Sequence, residues 1–444
     1  MDDTLFQVFV EQAATCADHP VPSLLYQGKG SKVESRLGSL NVEAKWLSAR
    51  PRSIDDITVC TNSDFDRLYM LAGQCSSWGG PVSAVVYLPL ELFSPQNRAL
   101  VAEAKRQLAA LHAEVEARGD CTLDLVLVSE VLRPEAMWSF PYNSLRNQAI
   151  ARTRTKLLIL LDVDFLLRWG GAGGGWGWAP KSLPAVAYGT VQSGARLLLQ
   201  AARPAADDPP PSIPPAPSHS ANLRAHLLAE PRFSALVTDA YINLDVVVLP
   251  AFETKPGLPL AQGTAIAERA IQGTKKQVFK LFRAGKLVQF APFFLRGHGP
   301  TEHKRWFGAR QQYPAVYATG FEPFVLMSRV HVPWYDERFR GYGWDKITHI
   351  FQLARSGYNL MVHPTAFLVH RPHLPSAGYN RTFTGPAYTE NHKPTDVGCV
   401  AGCVAGAGQD MAGQEGSGGP CAPPSSSFTS RPALHPPNPL QPFS

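Results

Sequence analysis

From residue 54 onward, apolar and polar positions alternate in blocks of two periods. "ITVCTN" (57–62) is a short β run, and "DFDRLYMLAGQCSSW" after it carries helical spacing. "GGPVSAVVYLPL" opens on turn residues and continues as a second apolar run. Ser94 then suits an N-cap with Pro95 at the first helical position, and 96–118, rich in Ala, Leu, Glu, Arg and Lys, predicts a long helix. "TLDLVLVSE" (122–130) alternates as a strand, "NSLRNQAIARTRT" (143–155) reads as a helix, and "KLLILLDVDF" as the next strand. Strand–helix alternation predicts an α/β sheet with helices on its faces, whose ligands bind beyond the carboxyl ends of the strands. Later, "YINLDVVVLPAFE" (241–253) resumes a strand and "TKKQVFKLFRAGK" (274–286) suggests a basic amphipathic helix. A glycine-hinged loop, a helix and a strand ending at His370 follow.

Two stretches interrupt this pattern. Residues 168–222 hold "GGAGGGWGWAP" and "PAADDPPPSIPPAPSHS", and the tail over 395–444 is Gly, Ser and Pro with few apolar residues. Neither composition buries enough apolar surface to order itself. We therefore expect a domain over 54–394 carrying an insertion, a weakly structured start over 1–53, and a disordered tail. The hydrophobic fraction of 45% is that of a globular protein. The formal charge of +6 suits anionic ligands, but no Lys/Arg block marks a nucleic-acid footprint. No apolar run is long enough to span a bilayer, and "MDDTLFQVFVEQ" lacks the basic start and apolar core of a signal peptide. The seven cysteines have no regular spacing, which leaves room for one or two bridges and no zinc site.

Asp162 and Asp164 stand out because a carboxylate in an apolar run is costly unless it is paired or bound to a metal. On a regular strand, residues two apart point to the same side, so both could face one site. Hard divalent cations such as Mn²⁺ and Mg²⁺ are held by one or two carboxylates together with substrate phosphates. A capping Asp beside a solvent-facing Asp is the plain alternative. His370 closes "TAFLVH" and would complete a carboxylate-rich metal site, with His373 a weaker alternative; a histidine at a strand end is also commonly structural. "GYGWDKITH" places Asp345 at the start of a helix, either as a cap or as a general base. Glu322 in "GFEPF" lies between aromatics, as a substrate ligand, a base or a buried structural partner.

Several segments, taken in order, resemble glycosyltransferase family 49, the LARGE-type and β-1,4-glucuronyltransferase-like enzymes. They are "DRLYMLAGQCSSWGGPVSAVVYLP", "FPYNSLRNQAIARTRTKLLILLDVDF", "VVVLPAFE", "HKRW" and "GFEPFVLMSRVHVPWYDERFRGYGWDKITHIFQLARSGYNLMVHPTAFLVHRPH". The resemblance implies a GT-A-type nucleotide-sugar-binding fold, with a mixed central sheet flanked by helices. It implies an inverting transfer of a sugar, glucuronate first, from a UDP-sugar donor to a glycan or glycoprotein acceptor, with Mn²⁺ or another divalent cation. It also implies a place in the Golgi lumen, with membrane attachment only through an anchor that this chain does not show. The family's D-x-D falls on Asp162 and Asp164 and its metal histidine on His370. Asn143, Arg146 and Asn147 in "PYNSLRN" correspond to a segment on the nucleotide side, and Glu322 to the aromatic–Glu–Pro motif. Where this chain has Asp345 some relatives carry Asn, so Glu322 stands as a rival base. The insertion beside the site also motivates a second reading, an inactive relative that binds glycan or nucleotide without turnover.

Overall fold

The computed structural model describes residues 40–168 and 232–375, apart from Trp138 and Tyr342. Beyond Arg168, the insertion expected over 168–222 lies outside the described residues, as does the tail expected over 395–444.

Strands β1 (Asn41–Trp46) and β2 (Ile57–Asp64) precede helix α1 (Leu68–Trp78). Strand β3 (Pro81–Glu91) leads into α2 (Asn97–Arg118), and β4 (Thr122–Leu132) into α3 (Tyr142–Ala151). Then come β5 (Leu157–Leu160) and β6 (Phe165–Arg168). The second stretch opens with α4 (Arg232–Tyr241), β7 (Asp245–Leu249), β8 (Ala251–Thr254), α5 (Leu260–Gln272) and α6 (Lys275–Arg283). It continues through β9 (Leu287–Gln289), short helices α7 (Leu295–His298) and α8 (His303–Gly308), β10 (Tyr313–Pro314) and β11 (Phe324–Ser328). It closes with α9 (Asp345–Arg355), β12 (Asn359–Val362) and β13 (Phe367–His370).

Among the described residues these strands form two sheets. The larger has nine strands in the order β1-β4-β3-β2-β5-β11-β7-β12-β10, and the smaller has four, β6-β13-β8-β9. Strands β2, β3, β4 and β5 run parallel to one another, whereas β11 lies antiparallel between β5 and β7. The sheet is therefore mixed, and helices cover both faces. Alternate residues of each central strand enter opposite cores: Ile57, Val59, Leu157 and Ile159 pack with α1 and α2, while Cys60, Leu158 and Leu160 pack with α3 and α9. Burial on both sides is why these strands read as continuous apolar runs.

Four expectations change. Strand β1, inside the segment expected to be weakly structured, pairs antiparallel with β4 because "NVEAKW" alternates well enough to half-bury one face. Helix α2 starts at Asn97 rather than at Ser94–Pro95; the Ser94 hydroxyl closes a local turn by accepting from the Gln96 N–H at 3.4 Å. The runs around 156–165 and 241–253 are not single strands. Each splits into one strand in the large sheet and one in the small sheet. Cys75 at the end of α1 is bridged to Cys121 before β4, one of the bridges for which the sequence left room, while Cys60 stays a buried free thiol.

Candidate metal centre and its surroundings

Strand β5 ends at Leu160, the chain turns through 161–164, and β6 begins in the other sheet. The Phe165 N–H donates to the Asp162 carbonyl at 3.1 Å, closing the turn. Buried Gln74 of α1 pins it by donating to the carbonyls of Asp162 (3.0 Å) and Phe165 (3.2 Å). Asp162 and Asp164 therefore do not share a strand face, as i, i+2 alternation would require, and each meets its own partners.

Asp164 is brought to the histidines by the register of the small sheet. Phe165 pairs with His370 across β6 and β13, and the Arg371 N–H donates to the Asp164 carbonyl at 2.8 Å. Asp164 Oδ2 lies 3.1 Å from His373 Nε2, 3.8 Å from His370 Nε2 and 2.6 Å from Arg67 Nη1. The two Nε2 atoms are 3.2 Å apart. Burial opposes ionisation of Asp164, but the two histidines and Arg67 outweigh it and hold the carboxyl well below its usual range.

These three side chains fit a divalent cation. Asp164 Oδ1 is buried and has no hydrogen-bond partner among the described residues. His373 Nδ1 lies 2.8 Å from the Leu374 carbonyl, which can only accept, so a neutral ring places its proton there. Nε2 then turns a lone pair toward Asp164 and His370, an arrangement that repels itself unless a cation or proton stands among the three. One oxygen and two imidazole nitrogens lie within 4.8 Å of one another. Their separations of 3.1, 3.2 and 3.8 Å lie between the ~3 Å of adjacent and ~4 Å of opposite ligands when metal–ligand bonds are ~2.1 Å. Oxygen with imidazole suits Mn²⁺.

Asp162 stands apart from this cluster. Its carboxylate accepts from Lys346 Nζ at 3.1 Å and pairs with Arg146 Nη2 at 3.4 Å. Burial raises its pKa, yet Lys346 and Arg146 prevail and hold it below the usual range. Arg146 also donates to Asp345 Oδ2 at 2.6 Å and to Asn143 Oδ1 at 2.9 Å, tying α3, the turn and the start of α9 together. The Asn143 amide donates to the carbonyls of Asp336 and Asp345, and Asn147 exchanges bonds with the Tyr335 backbone and donates to Glu337. Both asparagines are thus committed to holding the 335–345 segment, while Arg146, Asp162, Phe324, Tyr335 and Lys346 line one small cavity.

Glu322 differs from Asp345 in having no hydrogen-bonded side-chain partner among the described residues. Burial is the main reason its pKa rises, to about 7; Lys346 opposes the rise, and Asp345 and Asp162 add to it. Lys346 Nζ sits 4.0 Å above the Phe324 ring, so one ammonium bridges the Asp162 turn and the start of β11. Arg67 and Lys346 escaped the sequence reading. Lys346 directly follows Asp345 in "GYGWDK", which was the one available signal; for Arg67 there was only its place after β2.

A mixed sheet flanked by helices, with a D-x-D turn at the end of a central strand, has the form of a GT-A-like glycosyltransferase. The family model described as glycosyl-transferase for dystroglycan matches residues 222–381, which include Glu322, Asp345, His370 and His373. The human xylosyl- and glucuronyltransferase LARGE2 is 29% identical over 343 residues, covering 76% of this chain and 35% of its own length. The chicken (Gallus gallus) LARGE2s enzyme is 26% identical over 72% of this chain and 32% of its own length. Human LARGE1 is 24% identical over the same shares, 72% and 32%. On these matches the chain is similar to glycosyltransferases of family 49, LARGE type. It spans about a third of the length of these relatives.

Proposed function

We propose that this chain is a divalent-metal-dependent, inverting glycosyltransferase. It would move a sugar from a UDP-sugar to a hydroxyl of a glycan or glycoprotein acceptor, with glucuronate first choice and xylose or N-acetylglucosamine behind. The observation that carries the reading is the meeting of one Asp164 carboxylate oxygen with the Nε2 atoms of His370 and His373, at the edge where such folds bind nucleotides. The names of the relatives, xylosyl- and glucuronyltransferases, support the reaction class and leave both sugars in play.

A cation held by Asp164, His370 and His373 would neutralise charge developing on the departing diphosphate. Glu322 is the better base. Asp345 is already engaged with Arg146 at 2.6 Å in a charge-assisted bond. Glu322 has no such partner among the described residues, and its pKa of about 7 suits proton transfer near neutrality. It would take the proton of the acceptor hydroxyl as that oxygen bonds to the anomeric carbon, while the bond from this carbon to the diphosphate breaks and UDP leaves with the electron pair. Arg146 keeps Asp345, Asp162 and Asn143 in place, and Lys346 offers a positive charge to the nucleotide side. The Cys75–Cys121 bridge supports an oxidising compartment such as the Golgi lumen. Among the described residues no helix is long and apolar enough to cross a membrane.

The test is UDP release from a panel of UDP-sugars with Mn²⁺, comparing the full chain with Asp164→Ala. Equal rates would remove the metal role. UDP and Mn²⁺ binding without turnover on any donor and acceptor pair would favour the inactive relative.

A further inference from the structure

Arg67 pairs with the carboxylate assigned above to a cation. Its Nη1 lies 2.6 Å from Asp164 Oδ2, and its Nη2 lies 3.3 Å from His373 Nδ1, so it touches two of the three ligand side chains. The side chain is only 14% exposed, which makes this a held position rather than a passing surface contact. A guanidinium is always charged and cannot be neutralised to make room for a second cation. We infer that Arg67 is a counter-ion that changes partners, neutralising Asp164 in the free protein and moving to the donor diphosphate when the metal ion takes Asp164. Metal and sugar nucleotide then bind as a coupled pair.

The surrounding charges point the same way. Asp162, Asp164 and Asp345 are matched one for one by Arg67, Arg146 and Lys346. An ion entering alone would leave the site with two uncompensated positive charges. An ion that enters with a UDP-sugar meets the two negative charges of its diphosphate, and balance there is kept. Arg67 ends a single turn of 3-10 helix (Phe65–Arg67) at the carboxyl end of β2 and leads directly into α1. That edge of a parallel sheet is where nucleotides bind, and planar guanidinium groups match phosphate oxygens well. Once the ion occupies Asp164, the diphosphate is the anion that every UDP-sugar delivers to this edge.

This inference rests on the metal reading above and can fail separately from it. The experiment follows free Mn²⁺ by electron paramagnetic resonance during titration of the full chain, with and without UDP. In the wild type, Mn²⁺ alone binds weakly and UDP tightens it about tenfold or more; because coupling is reciprocal, Mn²⁺ tightens UDP by the same factor. In Arg67→Gln, Mn²⁺ alone binds about tenfold more tightly than in the wild type, and the enhancement by UDP shrinks to about threefold or less. Arg67→Lys keeps the charge and retains most of the coupling, a result that a purely structural role for Arg67 does not give. Unchanged Mn²⁺ affinity and an unchanged UDP effect in Arg67→Gln overturn the inference while leaving the metal site standing. A wild type that binds no Mn²⁺ even with UDP overturns both.

Discussion

Replacing Glu322 with Gln keeps the side chain's shape and removes its charge. Burial raises the Glu322 carboxyl from its ordinary 4.5 to about 7, with Lys346 opposing and Asp345 and Asp162 reinforcing the shift. An acid whose folded pKa is raised favours the folded state fully below its unfolded value. That advantage is lost as the pH climbs through the folded value. At about 1.4 kcal/mol for each tenfold change in proton affinity, the whole loss is about 3 kcal/mol, of which about 2.5 falls between pH 5 and pH 8. Gln has no such dependence. For a domain of this size, a change of about 2.5 kcal/mol corresponds to about 5 °C in melting temperature. The melting temperature of Glu322→Gln minus that of the wild type should therefore rise by about 5 °C between pH 5 and pH 8, measured by scanning fluorimetry without metal or nucleotide. Comparing differences cancels any fixed cost of the substitution. An offset equal at both pH values would show that Glu322 titrates as an ordinary acid and would refute the reasoning. In the transfer assay, kcat/KM of the wild type should climb through pH 7 as Glu322 ionises, and Glu322→Gln should lose about a hundredfold or more. Full activity in the variant would hand the base role to Asp345.

Three further outcomes are expected. His373→Ala should weaken Mn²⁺ binding in the presence of UDP by about 10–100-fold, read by paramagnetic resonance; an unchanged affinity would reduce His373 to a hydrogen-bond partner of Asp164. Replacing Cys75 and Cys121 together by Ser opens a closure spanning 46 residues and should cost about 4 kcal/mol on the chain-entropy estimate, measured by urea denaturation, with UDP release per folded molecule unchanged. Arg340 Nη2 pairs with the fully buried Glu130 at 2.5 Å, so Arg340→Ala should destabilise by about 3–5 kcal/mol, and adding Glu130→Gln should recover much of that loss in the same assay.

The alternation of strands and helices between 57 and 160 was legible because each strand there is buried on both faces and each helix follows within a few residues. The change of sheet was not. "KLLILLDVDFLL" is one apolar run by composition, yet Leu157–Leu160 pairs with β2 and β11 whereas Phe165–Arg168 pairs with β13. Hydropathy has no mark for the bend, since Leu161 and Val163 within it are buried as well. "VVVLPAFE" hides a similar break at Pro250. The acids and His370 could be picked out because they interrupt apolar runs. Arg67 and Lys346 could not, because their partners are 97 and 184 residues away in the chain and basic residues on helix ends are common. Asn143 and Asn147 were legible as polar groups near the site, but their commitment to the 335–345 backbone is a tertiary fact.

The two-sheet construction explains how a short motif becomes a site. The chain leaves the large sheet for the small one after β5, after β7 and after β12, and the first and last of these crossings bring Asp164, His370 and His373 together. Asp164 lies just before β6 and His370 at the end of β13, so the antiparallel pairing Phe165↔His370 sets their approach, helped by the Arg371 N–H bonded to the Asp164 carbonyl. Because side chains alternate along a strand, a slip of one residue would turn His370 to the opposite face and bring Val369 into its place. That slip is opposed by Phe367 and Val369, fully buried in one core, and Leu368, fully buried in the other. The apolar residues of β13 thus fix the register, and the register brings an acid from one half of the sequence against histidines from the other. Asp162, three residues before the first paired position, escapes that constraint and turns to Lys346 and Arg146. The motif's two acids therefore face different partners, Asp164 the histidines of the candidate metal site and Asp162 the basic side chains of Lys346 and Arg146.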